Sequence, residues 1–243
     1  MGLLDFLRPP APPAPGGRHS IFNTAYPLRR GDWKQIVSAC AGPSAVLQSR
    51  FQELIAKNRT PVTDLSAGTV TFGKTAFPVQ LIGCANNRLW RWGWDPGLRA
   101  DERLTALSAE LRQLGELWES GVLRISPHEL NDRIRAADLA AAACLLTPRH
   151  YCYISIEQGG GAVYCAVSGL PEAVTAPADE QEFLGAVGNV LLHGGIDHKI
   201  LVESLLMWNG TYYEWNGDTL TAYFSRSMQI GFERIGGALR ISR

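Results

Sequence analysis

Apolar residues along this chain recur with two periods, helical in some stretches and alternating in others. Residues 32–40 and 43–57 read as two helices. The second opens with Pro43 after Gly42 and carries Leu47, Phe51, Leu54 and Ile55 on one face; proline at the first helical position loses no hydrogen bond. The period then drops to two. Thr69-Val70-Thr71-Phe72 is β-branched and aromatic, and the runs Phe77 to Cys84 and Arg88 to Trp94 flank Asn86-Asn87, which reads as a two-residue hairpin turn. From Asp101 to Ser120, residues Leu104, Leu107, Leu111, Leu114 and Trp118 form a helical stripe that Gly121 closes. Ser126-Pro127-His128-Glu129 has the form of a capping box and predicts a helix that runs to Leu146.

The same logic extends to the C-terminal part. Tyr151 to Glu157 and Ala162 to Ser168 form a hairpin about Gly159-Gly160-Gly161. Its register sets Cys152 against Val167 and leaves Cys152, Ile154, Ile156, Val163, Cys165 and Val167 on one apolar face. Helices are predicted over Asp179–Leu192 and Asp197–Met207, followed by strands at Tyr212–Trp215, Thr219–Phe224, Met228–Arg234 and Leu239–Ile241. The pattern predicts an α+β fold, with antiparallel β-sheet segments packed against helices as two related halves or one continuous domain. The divisions are a short N-terminal peptide (1–8), a proline-rich linker (9–18), an N-terminal half (19–148) and a C-terminal half (149–243). The relation between halves rests on a faint repeat: Ala67 to Phe72 resembles Gly217 to Phe224, and Val79-Gln80-Leu81 resembles Met228-Gln229-Ile230.

Composition narrows the function classes. Of 243 residues, 46% are hydrophobic and 19% charged, a globular profile. Lys+Arg and Asp+Glu each number 23, so the basic excess that marks a nucleic-acid binder is absent. No apolar run reaches the ~18 residues of a membrane span, and Met1 to Arg8 lacks the basic and apolar regions of a secretory signal. Five cysteines without a Cys-x-x-Cys pair fit reduced thiols, and the expected location is cytoplasmic.

Several segments invite a chemical reading. Gly68 to Thr75 satisfies the phosphate-loop pattern at Gly68, Gly73, Lys74 and Thr75. Such a loop needs a strand before it and a helix N-terminus after it. Here Thr69 to Phe72 is itself strand-like and Pro78 follows closely, so the match reads as chance and no cofactor is expected. His193-Gly194-Gly195-Ile196-Asp197-His198 offers three metal-ligating side chains, a weak cluster because the histidine spacing spans a Gly-Gly turn; Asp197 reads better as an N-cap. No nucleophile elbow, zincin pair or dinucleotide fingerprint occurs.

In Leu89-Trp90-Arg91-Trp92-Gly93-Trp94 three indoles share one face of a strand. A turn at Asn86-Asn87 sets Trp90 against Gly83, Trp92 against Leu81 and Trp94 against Val79, a core arrangement that leaves Arg91 on the wetter face. The run Val79-Gln80-Leu81-Ile82-Gly83 with Leu89 to Pro96 resembles a bacterial family of unknown function. In that family a Gln-x-x-Gly strand precedes a Trp-x-Trp-x-Trp-Ala-Asn strand and a helix with Leu-Gly-Glu, here Leu114-Gly115-Glu116. The likeness spans about residues 60–170; Asp95 stands near the family's Asn and the intervening Ala is missing. The resemblance implies a bacterial cytoplasmic source and no activity. Together these readings favour a non-catalytic protein-interaction or accessory module whose partner contacts fall on Arg91, Tyr212, Tyr213 and Trp215, with no nucleic-acid or membrane partner. The alternative is a hydrolase-type enzyme with dispersed groups in a cleft between the halves.

Overall fold

A computed structural model describes residues 28–86, 88–147 and 152–242. The expectations for the N-terminal peptide, the linker, Asn87 and Tyr151 lie outside the described residues. The chain is α+β. Helix α1 (Trp33–Phe51) leads into strands β1 (Val62–Asp64), β2 (Thr69–Phe72), β3 (Thr75–Asn86) and β4 (Leu89–Trp92). Helices α2 (Ala106–Leu117) and α3 (Gly121–Arg124) follow, then β5 (His128–Glu129), α4 (Ala136–Leu146) and the hairpin β6 (Cys152–Gln158) and β7 (Gly161–Val167). The C-terminal part comprises α5 (Glu172–Thr175), α6 (Glu180–Leu191), α7 (His198–Asn209) and strands β8 (Tyr212–Asn216), β9 (Thr219–Tyr223), β10 (Ser227–Ile235) and β11 (Ala238–Ile241).

Two antiparallel sheets result. The long strand β3 organises the first, pairing with β2, β4 and β7, and β6 lies outside β7. Because β7 pairs along β3 from Val79 to Asn86, the first sheet takes strands from both predicted halves and ends at Val167. The second sheet is the meander β8-β9-β10-β11. The repeated segments occupy the second and third strands of a meander in each sheet, but their registers differ. Ile230 pairs with Leu220 of β9, whereas Leu81 lies past the end of β2 and pairs with Cys165 of β7.

Helix α1 is shared by both cores. Ile36, Ala39, Cys40, Leu47 and Phe51 pack into the core of the first sheet. Val37 and Val46 join the core formed with α6, α7 and the second sheet. The two predicted helices of this region are therefore one, with Pro43 inside it. Proline removes one backbone hydrogen bond there, and burial on both flanks keeps the axis continuous. At Gly42 a Cβ would lie 3.0 Å from both Leu201 and Leu205 of α7, so close helix packing depends on glycine. Arg50, at the C-terminal end of α1, donates from Nε and Nη2 to the two carboxylate oxygens of Glu182 at 2.7 and 2.6 Å, and also to the carbonyls of Ala176 and Pro177. This fork ties α1 to the α5–α6 connection.

Other boundaries move for local reasons. The stripe from Asp101 becomes helical only at Ala106, and Gly121 begins α3 instead of ending a longer helix. Ser126-Pro127 is a cis peptide, and His128–Glu129 pair with β4, so the expected capping box does not form and α4 starts at Ala136. Asn86 pairs with Leu89, which shifts the β3–β4 register so that Trp92 lies opposite Gly83 and Trp90 opposite Ala85. The shift preserves which face each indole takes, and Trp90 and Trp92 are fully buried. The β6–β7 register sets Cys152 against Val167, with Gly159 and Gly160 both at positive φ in the turn.

The packing of α1 on α7 gives a test. Gly42→Val should lower the unfolding free energy by about 1–3 kcal/mol, the usual cost of overpacking. Gly42→Ala should come out near neutral, because a helix-propensity gain of about 1 kcal/mol offsets a smaller clash. Urea unfolding of the three proteins checks the order.

Candidate functional site

Two polar constellations stand apart from the cores. One lies where β4 leaves the first sheet. Asp95 is 7% exposed and accepts from Ser126 Oγ at 2.6 Å, Gly97 N–H at 2.8 Å and Arg91 Nη1 at 3.0 Å. Ser126 Oγ in turn accepts from Trp92 N–H at 3.2 Å. Burial pushes the Asp95 carboxyl up, but the hydrogen bonds from Ser126, Gly97 and Arg91, with the guanidinium's charge, outweigh it and hold the group below the usual carboxylate range. An ionised carboxylate committed to three donors is an anchor and not a poised base.

The neighbouring motif residues all serve one purpose, the docking of α2 and α3 on the sheet. Gln80 spans the start of α2, donating from Nε2 to Arg103 O at 2.8 Å and accepting from Leu107 N–H at 3.3 Å. Trp92 Nε1 donates to Val122 O of α3 at 2.9 Å. Gly115 lets the two helices touch, since a Cβ there would lie 2.8 Å from Leu123 Cβ. A model of a family of unknown function, DUF6882, matches residues 34–170, more than half of the chain. The chain belongs to that family. The DUF6882 region thus contains α1, the whole first sheet and the Asp95 bracket, and ends before α5. No curated protein and no solved structure matches the chain.

The second constellation lies beyond the DUF6882 match, on the second sheet. Strand alternation divides the aromatics of β8. Tyr213 and Trp215 turn inward over Glu203 of α7, whose Oε1 accepts from Trp215 Nε1 at 2.8 Å and from Tyr213 OH at 3.5 Å. Glu203 is buried and its Oε2 has no partner among the described residues. Burial first, then the charge and hydrogen bond of Glu203, push the Tyr213 hydroxyl up to about 12. Lys199 Nζ lies 5.1 Å from the Trp215 ring centroid.

Tyr212 turns outward. Its ring centroid is 5.5 Å from that of Tyr223 on β9, and both hydroxyls donate to Glu214, at 2.5 and 3.2 Å. The bond to Glu214 raises the Tyr212 pKa, and partial burial with the same carboxylate raises that of Tyr223. Of the four partner-contact candidates, the structure therefore leaves Tyr212 on an outer face and turns Tyr213 and Trp215 into the second core. Arg91 is far along the chain on the other sheet, engaged with Asp95 yet 43% exposed. Sequence reading passed over Glu214 and Tyr223; the outward parity of Tyr212 was the signal that could have found them.

The remaining candidates take ordinary local roles. Gly68 precedes β2, Gly73 and Lys74 form the β2–β3 turn, and Thr75 begins β3, so no helix follows the phosphate-loop pattern. His193 Nδ1 contacts Asn189 O at 2.9 Å, Asp197 caps α7 through Ile200 N–H, and His198 Nδ1 accepts from Ile241 N–H at 3.1 Å. Among the described residues no group of three or more His, Cys, Asp or Glu is placed to hold a metal. All five thiols are free; burial raises the pKa of each that lies in the core, Cys165 to about 12. No described helix is long and apolar enough to cross a membrane.

The Asp95 bracket predicts an acid-sensitive contribution to stability. A carboxyl held low in the folded state contributes above its unfolded pKa, and the contribution fades as pH falls through the folded value. Asp95→Asn should destabilise by about 1–3 kcal/mol at neutral pH, because the donors of Arg91, Ser126 and Gly97 lose a charged acceptor. The gap between variant and wild type should narrow below about pH 4, as read by urea unfolding across pH.

Proposed function

We propose that the chain is a non-catalytic protein-interaction module acting in a bacterial cytoplasm, with the outer face of the second sheet as its contact surface. The observation that carries this reading is the outward cluster of half-buried Tyr212 with exposed Glu214 and Tyr223. Two aromatic rings there lie side by side, outside any core, oriented by one carboxylate. Rigid tyrosines contribute contact area at low entropic cost and are enriched in interfaces. The surrounding outward positions, Thr219, Thr221, Ser227 and Gln229, are short or uncharged and present a low relief. Three carboxylates elsewhere are committed to structure: Asp95 to its bracket, Asp197 to a helix cap, and Glu182 to Arg50. Five unpaired cysteines support a reducing compartment, and the family resemblance supports the bacterial source.

A photo-reactive phenylalanine analogue at position 223, expressed in the source cell, should give a discrete crosslinked species. The same analogue at Leu192, which is 85% exposed at the end of α6, should give none. Equal crosslinking from both positions, or none from 223, would overturn the reading.

A further inference from the structure

We infer that the outer edge of β8 accepts an extended, cationic segment of a partner protein as an additional strand, with an arginine or lysine of that segment seated on Glu214 between Tyr212 and Tyr223. This rests on the interaction reading above and narrows it to one partner chemistry.

Three observations converge on the strand. Among the described residues β8 pairs only with β9, so one side of its backbone has no sheet neighbour. Natural edge strands are usually blunted by lysine, proline or a bulge, yet Tyr212-Tyr213-Glu214-Trp215-Asn216 carries none of these and pairs with β9 without interruption. The outer side of that edge carries a single charge, the exposed Glu214. Among the described residues no lysine or arginine forms an ion pair with it; Arg226 pairs with Glu180 and Arg234 with Asp218.

The geometry specifies the sign and shape of the occupant. A carboxylate offers about four acceptor positions, and the two phenols occupy one on each oxygen. The rest face solvent. Both tyrosines donate their hydroxyls to this carboxylate, which holds it in place to receive a cation. An added strand turns alternate side chains to this outer face. A single basic residue at the matching position therefore reaches Glu214 while the backbone satisfies the edge. An acidic residue in its place meets like charge without compensation.

The probe is a set of short strand-forming peptides of alternating Thr and Val that differ only in the central residue: Arg, Glu, or Arg with a neighbouring Pro. Binding to the full chain is read by fluorescence anisotropy at low and high salt. The Arg peptide should bind about tenfold or more tightly than the Glu peptide, with the preference reduced by salt. The Pro-interrupted peptide should bind weakly, since it cannot complete the ladder. Glu214→Gln should cut Arg-peptide affinity by about tenfold and erase the charge preference; its melting temperature reports that the fold is kept. Equal binding of the Arg and Glu peptides, no binding of either, or an unchanged preference in Glu214→Gln would overturn the inference. So would a crosslink from position 212 to residues 8–18 of the same chain, which would make the chain's own segment the occupant. If position 223 crosslinks a partner in the cell while the peptides show no charge preference, the interaction reading survives and the cationic strand falls. If the cell gives no crosslink, the interaction reading itself falls.

Discussion

One helix has to be buried from more than one side at once. α1 presents Ile36, Leu47 and Phe51 to the first sheet and Val37 and Val46 to the second core, and it touches α7 closely enough that Gly42 admits no side chain without adjustment. A helix apolar around most of its circumference is stable only in the interior. The two sheets have little other direct business with one another, so each sits where α1 and its partners α4, α6 and α7 allow. Arg50 fixes the last degree of freedom. Its planar fork meets Glu182 at two points and donates to carbonyls of the α5–α6 connection, which ties α6 to the end of α1.

The polar and glycine residues at the junction of α2, α3 and the first sheet act as fasteners and not as reagents. Gln80, Trp92, Gly115 and the Asp95 bracket all lie where α2 and α3 meet the first sheet, and each satisfies a backbone group or permits a close approach. The indoles of Trp90 and Trp92 fill the interior between these fasteners. Chemistry of that kind preserves a shape.

The second sheet shows the same division within a single strand. Tyr213 and Trp215 are anchored inward by the buried Glu203, whose single accepting oxygen satisfies both. With Tyr213 and Trp215 held inward, strand alternation turns Tyr212 and Glu214 outward. A buried carboxylate with one unpartnered oxygen is costly, and its retention here is explained by the two polar aromatic tips that would otherwise be orphaned.

What could be read in the residues was whatever neighbouring residues settle among themselves. The β6–β7 hairpin register followed from two glycines and period-two alternation, the start of α7 followed from Asp197 as a cap, and the start of α6 fell at Asp179 as the pattern had it. The inward and outward faces of β4 followed from the same parity. What failed was local chemistry that had competing partners. Ser126 could cap a helix, but its hydroxyl meets Asp95, distant by 31 positions, and the helix start moves to Ala136. Pro43 could begin a helix, but packing on both flanks carries the helix through it. The pairing of β7 with β3, the union of both cores on α1 and the convergence of Tyr212 and Tyr223 on Glu214 were also settled only in three dimensions. Short-range geometry fixes periods, caps and turns, because its free energy is complete within a few residues. Which of several adequate partners a side chain takes is decided by burial, and burial exists only once distant segments have met.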